Sequence, residues 1–540
     1  MSDSSSSLRE RPATAERPST AVSAAPSDPF ASPLSSRPPS VHYVQPSAHS
    51  SRVSFPDAFA SRRSILSQSA FGVPAYSSAL SGAARLSAGP GVIVAPPGSP
   101  PPNASAPAPA KKLPRMKSHR LPPGAEVPKP WVQGKSARAV FSYWIVYLIV
   151  LVGISIGAVQ CWLTFVRVPL DRKPLCLVLD QDFSDESTVF GPNGTFFREV
   201  NMDGFGNGEF EMTTDSRNNS FVKDGMLYIV PTLTSDNIGT AAVFDGTVYN
   251  ITGCTFNITR PNNGYIEQDG GLVFDWDSYY RSCSAVSNAT AGTVINPVQS
   301  ARLTTQNTAS IRYGRVEIRA KMPNGDWLWP AMWMLPTQNV YGAWPLSGEI
   351  DIVESRGNGL RYTAHGSNFV QGSLNWGPAP DLNGILKSSS WWTDKRKSFG
   401  ADFHTYALEW TPDFLRIYVD TRLHTLLDLQ FNEPFFKRGQ FPQTTFNGST
   451  PVAVQDPWIN GTNATPFDQE FYLILDVGVG STNGWFPEDQ GGKPWLDQAA
   501  NPPHDFAAAI EQWYPTWPSN VEDRALVVDY VKMWRHCEAP

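Results

Sequence analysis

Glu349, Asp351 and Glu354 lie within six residues of one another in a run that is otherwise apolar before its polar end, Gly348-Glu-Ile-Asp-Ile-Val-Glu-Ser-Arg-Gly-Asn358. In an extended chain successive side chains alternate, so Glu349 and Asp351 project from one face while Ile350 and Ile352 turn toward a core. Glu354 has the wrong parity to join the two acids unless the strand carries a bulge, whose extra residue restores the facing. With a bulge the two glutamates stand about four strand rises apart, roughly 13 Å between Cα atoms. Side chains reaching about 4 Å each then bring the carboxylates to about 5 Å, the separation used in retaining cleavage of a glycosidic bond. That chemistry needs one ionised carboxylate to attack the anomeric carbon and one protonated carboxyl for the leaving oxygen. Crowding drives the two pKa values apart, and Asp351 fits between them to hydrogen-bond one. The bland reading is a solvated strand face, which Ile350, Ile352 and Val353 and the flanking aromatic-rich stretches disfavour. Calcium ligation is a further reading, but an EF-hand-like loop with its glycine and oxygen spacing is absent.

The elements that must hold these acids are short alternating runs. In Arg315-Val-Glu-Ile-Arg-Ala-Lys-Met322, Val316, Ile318, Ala320 and Met322 share one face and the four charges take the other, as in a half-buried strand. Similar runs recur at 406–410, 415–419, 471–475 and 526–534, with turn residues such as Pro323-Asn-Gly325 and Thr411-Pro-Asp413 between them. The convincing helical stretch of this region is short, Asp505 to Trp513, with Asp505 as its N-cap. Many strands and few helices predict an all-β antiparallel sandwich over residues 175–540.

The rest of the chain is of another kind. Residues 1–138 carry 16 Lys/Arg and 6 Asp/Glu, a net of +10, leaving 27 basic and 43 acidic residues beyond, a net of −16. Of 48 prolines 23 fall in the first 130 residues, whereas the first tryptophan is Trp131. Such a segment cannot bury enough apolar surface to offset its ordering entropy, so 1–138 reads as a disordered basic tail. The acidic remainder argues against nucleic acid as a partner. Residues 139–166 contain no charge and are long enough for one transmembrane signal-anchor helix. Lys111, Lys112, Arg115, Lys117, Arg120, Lys129, Lys135 and Arg138 precede this span, and Arg167, Arg172 and Lys173 follow it. The positive-inside rule then puts the tail in the cytoplasm and the rest in the lumen or outside the cell, a single-pass type II topology in the secretory pathway or plasma membrane. The Lys111–Arg138 segment also suits anionic lipid, so a scaffold or sorting role for the tail is a rival reading. Eight N-x-S/T sequons follow the span, at Asn193, Asn218, Asn250, Asn257, Asn288, Asn447, Asn460 and Asn463, against Asn103 before it. Cys161 lies in the span. The other four cysteines allow three pairings, of which Cys254–Cys283 as a local staple and Cys176–Cys537 joining the domain's ends are expected, with free buried thiols as the alternative. No spacing marks a zinc site.

These residues carry a family resemblance. Gly314-Arg-Val-Glu-Ile-Arg-Ala-Lys321, Gly325-Asp-Trp-Leu-Trp-Pro-Ala-Met-Trp-Met-Leu-Pro336, Trp344-Pro-Leu-Ser-Gly-Glu-Ile-Asp-Ile-Val-Glu-Ser-Arg-Gly-Asn358 and Phe403-His-Thr-Tyr-Ala-Leu-Glu-Trp410 resemble glycoside hydrolase family 16, in its laminarinase-like branch. The likeness covers most of residues 177–537. It implies a concanavalin A-like β-jelly roll with a cleft on its concave face, a β-glucan substrate (β-1,3-linked foremost) and retention of configuration. It further implies Glu349 as nucleophile, Glu354 as general acid/base and Asp351 as the partner that tunes Glu349. No cofactor is implied; a structural calcium occurs in the family, and no motif here locates one. Asn375-Trp-Gly-Pro378 and Leu475-Asp-Val477 depart from the family's His-Trp-Gly-Pro and Leu-Asn-Val. The topology looks like that of fungal proteins of β-1,6-glucan assembly. The branch also includes glucan-recognition proteins without the catalytic acids, so a non-catalytic β-glucan receptor is the rival to an enzyme. Among Trp327, Trp329, Trp333, Trp344 and Trp376, Trp344 and Trp376 are the expected sugar platforms, and Arg356 and Asn358 either bind sugar hydroxyls or serve the turn that their Arg-Gly-Asn stretch makes. Trp333, Trp410 and His404 are assigned to the core.

Overall fold

The computed structural model describes residues 120–537, apart from 132, 133, 135, 192, 269, 448 and 449. Most of the expected disordered tail, with Asn103, therefore lies outside the described residues, as does the side chain of Asn447. The helices and strands described all belong to the unit from Glu126 onward.

A 31-residue helix, Ala137–Arg167, opens that unit, capped by the Ser136 hydroxyl oxygen, which accepts from the Ala139 amide at 3.1 Å. At about 1.5 Å per residue it is longer than a bilayer's hydrocarbon core is thick. It is long and apolar enough to cross a membrane, and none of it is buried against protein.

Two eight-stranded antiparallel sheets follow, stacked face to face. The first runs Thr425–Gln430, Phe414–Val419, His404–Trp410, Gly314–Lys321, Leu526–His536, Met226–Ile229 and Ser220–Lys223, with Leu175–Gln181 added beside Leu526–His536. The second runs Ser389–Thr393, Phe369–Asn375, Glu349–Ser355, Leu328–Pro336, Phe471–Val479, Arg302–Thr304 and Phe197–Glu199, with Ser310–Ile311 beside Phe471–Val479. Alternation does what the pattern requires. Val316, Ile318 and Ala320 of Gly314–Lys321 are buried, while Arg315, Glu317, Arg319 and Lys321 stay half-buried on the outer face. They meet Met332, Met334, Ile350, Leu473 and Leu475 of the second sheet in one core. Gly372 brings the sheets close, since a Cβ there would touch Leu426 and Ile417 at 3.1–3.2 Å.

The sandwich is not the whole domain. Residues 235–290 form a lobe of short helices and hairpins, whose Ile251, Phe256 and Cys283 pack with Val200, Met212 and Ile295 of the adjoining chain in a second core. A Cys254–Cys283 disulfide staples the lobe, and Cys176–Cys537 ties the domain's first strand to its last. The helix expected from Asp505 instead starts at Pro502, with Asn501 as N-cap, and is followed after Ala509 by Ile510–Trp513. Proline fits a helix's first turn, so Pro502 and Pro503 set the start and Asp505 falls inside.

Candidate active site

The three acids sit at the centre of the second sheet, on a strand paired along both edges. Trp333 opposes Asp351 and Met332 opposes Val353, which leaves Ile352 as an extra residue. On the other edge Asp351 opposes Ser373 and Glu354 opposes Gln371, three steps against two. This is the bulge required by parity. Ile350, Ile352 and Val353 are buried in the sandwich core, and Glu349, Asp351 and Glu354 share the opposite face.

Hydrogen bonds hold each carboxyl. Asn375 Nδ2 donates to Glu349 Oε1 at 2.7 Å and to Asp351 Oδ2 at 2.8 Å. Asn383 Nδ2 donates to Asn375 Oδ1 at 2.6 Å and so fixes which end of the Asn375 amide faces the acids. Ser373 Oγ donates to Asp351 Oδ2, Trp344 Nε1 to Glu349 Oε2 at 3.1 Å, and Trp329 Nε1 to Glu354 Oε1 at 3.0 Å.

Burial is the largest influence on all three acids. It raises Glu349 to about 7, helped by the neighbouring charge of Glu354, while Trp344 and Asp351 pull in the other direction by hydrogen bonding. Burial and then the charge of Glu349 push Asp351 well above the usual carboxylate range, so Asp351 keeps its proton and shares it with Glu349. Glu354 rises to about 8, through burial above all, against the Trp329 bond. Near neutral pH an ionised Glu349 beside a protonated Glu354 is thus accessible, the pair of states that retaining chemistry needs.

Four strands align a wider polar row. Arg302 pairs with Asp476, Asp476 with Ala331, and Ala331 with Glu354, all on this face. Asp476 stands two strands, about 10 Å, from Glu354 with only an alanine side chain between. Its Oδ1 accepts from Trp333 Nε1 at 3.2 Å, and burial raises it to about 8.

Trp344 stays on this face, 43% exposed and bonded to Glu349. Trp376 does not: it is 0% exposed, packed on Phe435, Phe441 and Trp458, and donates to Ser388. Trp327 is buried among Tyr362, Phe486 and Trp495. Trp333, assigned to the core, instead shares the acids' face, because it pairs with Asp351; Trp410 is buried as expected. Arg356 binds protein rather than open space. Its guanidinium donates to the carbonyls of Trp485, Ala364 and His365 and lies 4.1 Å over the Trp485 ring. Trp485 stacks on Trp329 at 4.8 Å, so Arg356 steadies the indole that bonds Glu354. Asn358 is buried and accepts from the Trp327 amide, a turn role. His404 is half-buried at the start of its strand and bonds Asp420 at 2.8 Å. Asn383, Ser373, Trp485 and Arg302 escaped the sequence reading, because their contacts cross strands and loops that spacing does not relate. Asn375 and Asp476 had a signal, each standing where the resembling family has another residue.

The profile of Glycosyl hydrolases family 16 matches residues 259–463. A β-1,3-glucan-binding protein of Penaeus monodon is 39% identical over 368 residues, covering 67% of this chain and 90% of that protein. The chain belongs to glycosyl hydrolases family 16. A second relative, a glucan endo-1,3-β-glucosidase of Cryptopygus antarcticus, is 32% identical over 246 residues, 45% of this family 16 chain and 70% of that enzyme. The laminarinase of Rhodothermus marinus aligns in structure with a TM-score of 0.39 and 23% identity, covering 68% of this chain and all of that one. Among the described residues of the family 16 chain, no group of three or more His, Cys, Asp or Glu is placed to hold a metal ion.

Proposed function

We propose that this family 16 chain is a membrane-anchored, retaining glycoside hydrolase or transglycosylase acting on β-glucan, β-1,3-linked foremost, in cell-wall polysaccharide metabolism. The observation that carries this reading is the single face shared by Glu349, Asp351 and Glu354, with Asn375 bonded to two of them. Glu349 attacks the anomeric carbon while Glu354 protonates the departing glycosidic oxygen. Glu354 then takes a proton from the incoming hydroxyl as the glycosyl-enzyme is resolved. Water as the incoming group gives hydrolysis, and a sugar hydroxyl gives transglycosylation. Asp351, protonated, steadies Glu349 as a carboxylate. The relative named as a glucan endo-1,3-β-glucosidase supports the substrate class.

A second reading, a glucan receptor without turnover, is favoured by the 39% identical relative, which is named for binding β-1,3-glucan. The full chain, purified in detergent beside Glu349→Gln and Glu354→Gln, separates the two. Shorter products from β-1,3-glucan oligosaccharides, lost in both variants, identify hydrolysis, and longer products identify transfer. Glucan binding with no change of chain length on β-1,3 or β-1,6 substrates would leave the receptor. The type II topology, and with it the fungal likeness, is proposed from flanking charge and sequons; neither relative named above is fungal.

A further inference from the structure

The lobe 235–290 holds a cavity of about 420 Å³ that the acids do not touch. It lies between the turn Pro261–Gly264, the hairpin of Tyr265–Gln268 with Gly271–Phe274, and the start of the helix Trp276–Cys283. Arg260, Asn262, Tyr265, Glu267, Leu272 and Asp275 line it. Tyr265 is 45% exposed and is propped edge-on by Phe274 at 5.4 Å, so its ring is held in place while open to solvent. A fixed, exposed aromatic ring beside hydrogen-bonding side chains of both charges suits a sugar, whose C–H face packs on the ring while its hydroxyls reach donors and acceptors.

A run of contacts connects this groove to the acidic face. Arg260 of the groove donates to Asp203 Oδ2 at 2.6 Å, and Asp203 Oδ1 accepts from the Phe205 amide at 2.9 Å. The Phe205 ring lies 4.1 Å under the guanidinium of Arg302, which also covers Trp333 at 4.7 Å, and Trp333 bonds Asp476. The groove thus stands beyond the sheet edge formed by Phe197–Glu199, on the side of Glu354 that Asp476 and Arg302 occupy.

We infer that this groove is an auxiliary glucan-binding site that takes the distal part of a long β-glucan whose nearer part lies across Glu349 and Glu354. The inference rests on the glucan reading above. A lipid surface fits less well: among the described residues the lining has one cation against two carboxylates, whereas anionic headgroups select clustered cations. Asn250, Asn257 and Asn288, each exposed on this lobe within a glycan-acceptor sequon, also point it toward water.

The test uses the full chain in phosphatidylcholine/phosphatidylserine nanodiscs, made inactive by Glu349→Gln, with a long soluble β-1,3-glucan and a β-1,3-linked tetrasaccharide as probes. Tyr265→Ala and, separately, Glu267→Ala are expected to weaken the long glucan by about tenfold for the ring and less for the acid, with tetrasaccharide affinity as in the parent. Amide hydrogen exchange is expected to slow at Tyr265–Phe274 with the long glucan only. A parent that binds both probes, with both variants binding the long glucan equally well, would overturn the auxiliary site while leaving the glucan reading intact. A parent that binds neither probe would overturn both. Protection of the hairpin by the nanodisc lipid, absent in detergent and unchanged by glucan, would make it a membrane contact instead.

Discussion

Glu354 is held as an acid by a balance that single substitutions can tilt. Burial raises it, and the Trp329 hydrogen bond lowers it because that bond favours the carboxylate. Trp329→Phe removes the donor, so the basic limb of the pH–rate profile is expected to move to higher pH; movement downward would refute Trp329 as the tuning donor. In the parent chain kcat/KM should rise as Glu349 ionises near pH 7 and fall as Glu354 loses its proton near pH 8, a narrow bell. Glu354→Gln is expected to lower kcat by about 10²–10⁴-fold on substrates whose leaving group needs a proton. The loss should shrink on an aryl glycoside with an acidic phenol, and steady-state kinetics on the two substrates distinguishes lost acid catalysis from a disturbed fold.

The parity of the acids along their strand, which the bulge sets, is the element-scale property on which the proposed site depends. Ile352 is the unpaired residue, so deleting it leaves Asp351 opposite Trp333 and Val353 opposite Met332 in an unbroken ladder. Glu354 then still shares the face of Glu349 and Asp351, and measurable activity should persist, with a lower Tm from the lost core side chain. Inserting one alanine between Val353 and Glu354 instead turns Glu354 toward the core and should abolish activity. If deletion and insertion behaved alike in activity assays, the bulge would not be what sets the facing. A second element-scale device is the Cys176–Cys537 bond, whose 361-residue separation constrains the unfolded chain. Cys176→Ser with Cys537→Ser should reduce stability by on the order of 4 kcal/mol, read by denaturant unfolding.

Across the whole molecule, several carboxyls carry raised pKa values in the fold: Glu349, Asp351, Glu354 and Asp476, with Glu211 buried beside Glu209. The folded state then binds more protons than the unfolded one between the ordinary carboxylate range and about pH 8. Stability is therefore present at mildly acid pH and lost as pH rises through the folded values. Tm is expected to fall between about pH 5 and pH 8, and Glu354→Gln should raise it at pH 8 more than at pH 5. A Tm that climbed over that range would contradict this account. The proposed topology has its own check: in sealed microsomes, protease should remove the N-terminal tail and spare a glycosylated remainder whose mass drops on deglycosylation.

The chain by itself determines whatever is local or periodic. Alternation in Arg315–Met322 forecasts a half-buried strand, the uncharged run 139–166 forecasts a long apolar helix, and the parity of Glu349, Asp351 and Glu354 requires a bulge for a shared face. These properties depend on one strand or helix, whose period is set by backbone geometry. Which indoles face the acids is another matter. Trp333 and Trp376 sit the reverse of their expected places: Trp333 lies on a strand apolar along both faces and Trp376 in the loop just past Phe369–Asn375, and only the tertiary packing decides which of them is covered. Asn375 bonding two acids, Arg356 bracing Trp485, and the lobe's groove all join residues from separate strands and loops. Sequence spacing between such residues carries no distance, and only the closed tertiary structure brings them within bonding reach.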